Sequence, residues 1–356
     1  MTVTYHAGRR LQGLDADRTA TALPSGSVGG WVEVGRTTLG SAGASIDVTS
    51  IPDKRYYMTL VNMPVSGSNV QPRLRFNADT GTNYSMRTSE DGGADGTSTS
   101  GNALIAPNGI YTGNIGFELF YTANLSSKEK LVQRWHVSNR PSTGAGTVPT
   151  RKEQVGKWEN TSNAINQMEM NSVSNTFATG AEMVVLGWDP ADTHTTNFWQ
   201  ELASVNATGS STNLSSGTIT AKKYLWIQIW LDPSTRQNHL LRFNNDTGNN
   251  YATRYSTNGA TDSTDGSVTN FNLGSGIGTL DGLPSFQNIF IVNNSSNEKL
   301  AIIHSVWQNT SGSSNATGRI EMVGKWTNTS SQITEIDIDS NYNWNSGSIM
   351  KVWGAD

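Results

Sequence analysis

Two stretches of this chain are nearly the same and lie 167 residues apart: Arg75-Phe76-Asn77-Ala78-Asp79-Thr80-Gly81-Thr82-Asn83-Tyr84 and Arg242-Phe243-Asn244-Asn245-Asp246-Thr247-Gly248-Asn249-Asn250-Tyr251. Other landmarks keep the same spacing within a residue or two. Trp31 matches Trp199, Lys54-Arg55-Tyr56 matches Lys222-Lys223-Tyr224, and Val155-Gly156-Lys157-Trp158 matches Val323-Gly324-Lys325-Trp326. Asn124 to Leu131 matches Asn293 to Leu300, and Gly180 to Gly187 matches Gly347 to Gly354. A spacing held over so long a span implies two copies of one fold. The expected organisation is a first module at residues 31–189, a polar linker at 190–197 and a second module at 198–356. Residues 1–30 have no counterpart and read as an extended N-terminal arm, with Val3, Tyr5 and Leu11 as its apolar residues.

Within each copy the hydrophobic pattern has a period of two. Tyr224-Leu225-Trp226-Ile227-Gln228-Ile229-Trp230 is rich in β-branched and aromatic residues, and Ile336-Asp337-Ile338-Asp339 alternates as a half-buried strand does. Turn formers such as Asp91-Gly92-Gly93 and Thr257-Asn258-Gly259 separate the runs. No long amphipathic helix is visible. The expected fold class is all-β, two tandem duplicated β-sandwich (jelly-roll-like) domains of about eight strands each.

Charge narrows the partners. With 25 Lys and Arg against 29 Asp and Glu, net charge −4 and no basic run, the chain lacks the clustered cations that a nucleic-acid groove requires. No stretch approaches the apolar length of a membrane span, and Met1 to Arg10 has no apolar signal-like region, so neither membrane insertion nor a cleaved signal peptide is expected. The sequence has no Cys, which removes disulfides and thiolate metal sites.

The sharpest catalytic reading is the pair Asp79-Thr80-Gly81 and Asp246-Thr247-Gly248, because an aspartic protease takes one such Asp from each of two β lobes. The polar neighbours Asn77, Asn83, Asn244 and Asn250 point instead to a tight turn, where Asp and Asn bond their own backbone and Gly accepts positive φ. The same Asn and Asp oxygens could ligate Ca²⁺, yet one carboxylate per copy is too few for a strong site. Arg75 and Arg242 are expected to project from a strand face and pair with carboxylates, and Tyr84 and Tyr251 to be core or edge aromatics. Glu129 and Glu298 are expected in solvated loops. Trp158 and Trp326 could stack a sugar, but a Trp repeated at one strand position is more simply buried. The histidines at 6, 136, 194, 239 and 304 fall at unmatched positions, so no repeated triad or metal site can be built from them. Several Asn-x-Ser/Thr triplets, among them those at Asn83, Asn124, Asn160, Asn206, Asn213, Asn294, Asn309, Asn315 and Asn328, are within what composition alone supplies. No catalytic, cofactor-binding or metal-binding residue is assigned, and the protein is expected not to be an enzyme.

At Tyr5-His6-Ala7-Gly8-Arg9-Arg10-Leu11-Gln12-Gly13, Gly29-Gly30-Trp31, Gly35-Arg36-Thr37-Thr38-Leu39-Gly40 and the Arg-Phe-Asn-x-Asp-Thr-Gly-x-Asn-Tyr motif, the chain resembles virion-associated structural proteins of tailed phages and uncultured aquatic viruses. The resemblance implies a subunit of a capsid decoration, tail or extracellular filament, located in a virion or filament, with itself, other virion proteins or surface glycans as partners. A surface of neutral hydroxyl and amide groups, together with strand edges that a neighbour's arm could complete as a donor strand, fits a self-assembling protein. The alternative expectation is a tandem carbohydrate- or receptor-binding module that gains avidity from duplication.

Overall fold

The computed structural model describes residues 30–106, 109–189, 192, 197–235, 238–274, 284–308, 313 and 316–356. The arm expected at residues 1–30, Gly30 apart, and most of the linker at 190–197 lie outside the described residues.

The described residues contain no helix, and thirteen strands precede residue 190: β1 Val32–Thr38, β2 Ser45–Thr49, β3 Tyr56–Ser66, β4 Pro72–Phe76, β5 Tyr84–Glu90, β6 Gly96–Gly101, β7 Leu104–Ile105, β8 Ile115–Ala123, β9 Lys130–Ser138, β10 Thr150–Trp158, β11 Gln167–Ser172, β12 Thr176–Phe177 and β13 Glu182–Trp188. Twelve follow: β14 Gln200–Asn206, β15 Asn213–Ser215, β16 Tyr224–Leu231, β17 Leu240–Phe243, β18 Tyr251–Thr257, β19 Ser263–Val268, β20 Phe271–Asn272, β21 Ser285–Val292, β22 Lys299–Trp307, β23 Gly318–Trp326, β24 Ile336–Asp339 and β25 Ile349–Ala355.

The first half forms a wide antiparallel sheet in the order β1-β13-β3-β8-β9-β10-β5-β6 and a narrow one in the order β2-β11-β4-β7, with β12 attached to β3. The second half has a wide sheet β14-β25-β16-β21-β22-β23-β18-β19 and a narrow sheet β15-β24-β17-β20. In each half the layers are unequal, and the extra strands beyond the expected eight widen one sheet.

Alternation decides which side chains meet between the layers. Leu74, Phe76, Trp158, Met170 and Met183 are fully buried in the first half, as are Leu241, Phe243, Trp326, Ile338 and Met350 in the second. The glycine of the repeated Val-Gly-Lys-Trp run allows the close approach: a Cβ on Gly156 would lie 2.6 Å from Leu104 Cδ2, and one on Gly324 2.7 Å from Phe271 Cζ.

A third core lies between the halves. The outward-facing residues Met58, Leu60, Phe117, Leu119, Val137 and Leu186 are buried in one cluster with Trp199, Tyr224, Phe290, Leu300, Ile302 and Trp353. The wide sheets therefore pack against one another through faces that a lone sandwich would leave in water, and the two halves share an apolar interface distinct from the core of each.

Candidate functional site

The repeated Asp-Thr-Gly segments are turns. Asn77 and Ala78, like Asn244 and Asn245, have φ near +52°, and Asp79 N donates to Phe76 O at 2.9 Å as Asp246 N does to Phe243 O at 3.0 Å. Each Asp carboxylate is then consumed within its own half. Asp79 accepts from Gly81 N (2.8 Å), Asn83 Nδ2 (2.8 Å) and the indole Nε1 of Trp158 (2.7 Å). Asp246 accepts from Gly248 N (2.8 Å), Asn250 Nδ2 (2.9 Å) and Trp326 Nε1 (2.7 Å). Burial alone would raise the pKa of Asp79, but the bonds from Asn83, Trp158 and Gly81 outweigh it and hold the carboxyl below its ordinary value. Asp246 is held down in the same way. Two such carboxylates share no proton, so the geometry offers no aspartic-protease dyad.

The side-chain oxygens of Asn77 and Asn244 are equally occupied. Asn77 Oδ1 accepts from Asn166 N and Gln167 N, and Asn244 Oδ1 from Thr334 N and Glu335 N. Among the described residues, no group of three or more His, Asp or Glu side chains could hold a metal ion. Arg75 pairs with Glu169 at 3.8 Å and Arg242 with Asp339, while Tyr84 and Tyr251 are buried with their hydroxyls on Phe76 N and Phe243 N. Trp158 and Trp326 are buried, each beneath a Lys ammonium, Lys130 and Lys299, at 5.5 and 5.6 Å from the ring centre. They offer no face to a sugar.

One expectation is corrected. Glu129 is exposed and pairs with Lys157 at 2.9 Å, but Glu298 is buried. Its carboxylate accepts from Asn139 Nδ2 (2.8 Å) and Gly144 N (2.5 Å) and lies 3.5 Å from Lys325 Nζ, which itself donates to Ser142 O. A loop of the first half sits on this pair, and its polar groups replace the water that Glu298 would otherwise hold.

A buried ionic cluster went unread in the sequence. Glu118 accepts two bonds from Arg134, at 2.6 and 2.8 Å, and lies 2.9 Å from His136 Nδ1, all between the sheets of the first half. Burial would raise the Glu118 pKa, but Arg134 and His136 hold it at about 2. Burial, aided by the charge of Lys152, pushes His136 down to about 4. The signal was available from comparing the two halves: the residues at the same register positions are Gln287, Ile303 and Ser305, so this charge belongs to one half only.

No protein-family model matches the chain, and no curated protein does. Among solved structures, domains LG4-5 of the mouse laminin α1 chain align over 93% of this chain and 92% of their own at 8% identity, with a TM-score of 0.19. Neisserial surface protein A aligns over 81% of this chain and 99% of its own at 5% identity, with a TM-score of 0.13. Scores this low say nothing of function, and the chain's own geometry carries the site.

That geometry includes an open, aromatic-lined groove. Its first compartment, about 440 Å³, is lined by Trp31, Tyr56, Tyr121, Leu131, Gln133 and Trp188 on the outer face of the wide sheet of the first half. Gln133 also lines a second compartment of about 320 Å³ with Arg87, Ser89, Asp95, Trp135 and Glu153. Strand register explains the alignment: Tyr121 stands opposite Gln133, Gln133 opposite Val155, and Val155 opposite Arg87. The corresponding residues of the second half are Phe290, Ile302, Val323 and Arg254. Val155 is 52% exposed where Val323 is 2% exposed, because the first half covers the second at this place.

Proposed function

We propose that the chain is a tandem duplication of one β-sandwich and serves as a self-assembling structural subunit of the virion or extracellular-filament kind, linked to its neighbours by strand-edge contacts and by residues 1–30. The identical strand order of the halves supports the duplication, as does the placement of Phe76 and Phe243 on β4 and β17 and of Trp158 and Trp326 on β10 and β23.

One observation carries the assembly reading. The edge strand β19 bends at Ser267, φ +53°, whose N–H donates at 2.7 Å to Ala145 O of the other half. The equivalent edge β6 bends in the same way at Ser100, φ +52°, but among the described residues no strand pairs with its outer side. β6 reads Gly-Thr-Ser-Thr-Ser-Gly, with none of the charges or prolines that protect a bare edge. Both strands are exposed edges, but β19 meets the other half at that bond while β6 has no such contact among the described residues, so the edge of β6 suits a segment from another copy.

The alternative, a tandem module with two matched glycan sites, loses support from burial. The second-half residues at the groove positions, Phe290, Ile302 and Val323, are covered, so duplication gives no second open site.

The test compares the full chain, a chain lacking residues 1–25 and Thr99→Lys by sedimentation velocity and electron microscopy. Polymers from the full chain and soluble, β-rich monomers from both variants are expected. A full chain that stays monomeric, or variants that assemble as well as it does, would refute the reading.

A further inference from the structure

We propose that the groove across the outer face of the first half binds a neutral oligosaccharide, an activity separate from the assembly reading. A pyranose has an apolar C–H face and a rim of hydroxyls, so its site needs an aromatic platform beside side chains that both donate and accept. The first compartment supplies the platform: Tyr56 and Trp188 stack with ring centres 5.4 Å apart and planes at 20°, and Tyr56 is 39% exposed. Tyr121 meets Trp31 on one side and Trp135 on the other, at 6.2 and 5.9 Å. The second compartment supplies the polar rim. Gln133 and Ser89 both donate and accept, Arg87 donates, and Asp95 and Glu153 accept.

Length and charge select the ligand. Tyr56 on β3 and Arg87 on β5 are four strand spacings apart, about 19 Å, which suits several sugar units in a row. Arg87 lies 3.4 Å from Asp95 with both side chains about half exposed, a pair held loosely enough to exchange its partner for a hydroxyl. Arg87 pairs with Asp95, and Glu153 with Arg151, so the groove has no surplus positive charge to draw a sulfated or sialylated chain. A wholly apolar ligand would strip water from Gln133 and Arg87 without replacing its hydrogen bonds.

The second half shows what this surface looks like when its partner is protein. There the two central positions are Phe290 and Ile302, both buried; here they are Tyr121 and Gln133. A hydroxyl and an amide replace apolar surface at the points a docked sandwich would cover, while the aromatics remain. That change fits an amphipathic, hydrated ligand and not another β-sandwich.

The probes are cellohexaose, mannohexaose and N-acetyl-chitohexaose, titrated into the full chain and followed by calorimetry and indole fluorescence. At least one should bind saturably with a change in indole emission. The double variant Tyr56→Ala/Trp188→Ala, and separately Gln133→Ile, should weaken it by at least about tenfold, the factor that 1.4 kcal/mol carries. Trp230→Ala, on the second half, should leave it unchanged. Gln133 is exposed, so its replacement tests the site even if the double variant folds poorly. Absence of saturable binding by all three hexasaccharides, or equal binding by Gln133→Ile, would overturn the proposal. So would loss of assembly in Gln133→Ile, which would make the groove a subunit contact. Sedimentation of the unliganded full chain tests the assembly reading independently of these titrations.

Discussion

The hydroxyl of Tyr224 donates to Oε1 of Glu182 at 2.8 Å, across the junction of the two halves. The same carboxylate lies 2.9 Å from Lys223 Nζ and 3.2 Å from an Arg36 guanidinium nitrogen, and it accepts from Thr38. Burial would raise its pKa, but the bonds from Thr38 and Lys223 outweigh this and hold it ionised. Phe117 stacks on the Tyr224 ring at 6.4 Å, so one junction residue is gripped by both a charge and an aromatic.

The junction should make the halves unfold together. Phe117→Ala removes a buried ring from the shared core and should cost about 3 to 5 kcal/mol. Glu182→Ala should cost about 2 to 3 kcal/mol, less than a fully buried ion pair because Lys223 and Arg36 remain partly in water. Urea denaturation followed by tryptophan emission and by far-ultraviolet dichroism should give one coincident transition for the parent chain. Two separated transitions in the parent would contradict a shared core.

Acid should weaken the fold in two stages. His136 and His239 are both pushed down to about 4, by burial above all, against an unfolded value of about 6.5. The unfolded chain binds more protons between those values, so stability is complete above about pH 6.5 and falls as pH drops towards 4. Glu118, held at about 2, adds a further loss as pH falls from about 4.5 towards 2. Urea midpoints across this range should decline, and His239→Leu should flatten the first stage. A midpoint that does not change between neutral pH and about pH 4 would show these imidazoles to be already satisfied in the charged form.

The turn carboxylates should be structural and equivalent. Asp79→Ala leaves the buried Trp158 indole N–H without its acceptor and should cost about 1 to 3 kcal/mol, and Asp246→Ala should do the same through Trp326. Thermal denaturation checks both. A large effect from one and none from the other would mean that the matching distances do not reflect matching roles.

Gly156→Ala and Gly324→Ala should each destabilise by about 1 to 3 kcal/mol, because the added methyl meets Leu104 in one half and Phe271 in the other. Leu104→Ala should relieve Gly156→Ala partly, and a double-mutant cycle would measure the coupling.

Much of each sandwich was legible because it is local. The Asp-Thr-Gly turn needs an Asp reaching the amide of the Gly two residues on, and these residues recur together; the positive φ expected of the Gly falls instead on Asn77-Ala78 and Asn244-Asn245. The alternation in β16 and β24 identified strands, and the repetition of Trp158 and Trp326 marked them as core. The Glu118 cluster was missed because charged residues at inward strand positions read as a solvated face until the layer above them is known.

What the sequence determined alone is thus the all-β class, the turn chemistry and the burial of the repeated aromatics such as Trp158 and Trp326. Tertiary structure alone decided which outward faces are covered. Leu131 and Leu300 occupy the same register position in β9 and β22, yet Leu131 is 58% exposed and Leu300 is fully buried. Lys157 and Lys325 differ likewise, one in water beside Glu129 and the other sealed against Ser142 and Glu298. Strand periodicity fixes the face to which a side chain points, but whether that face meets water or another sheet depends on how the two halves pack.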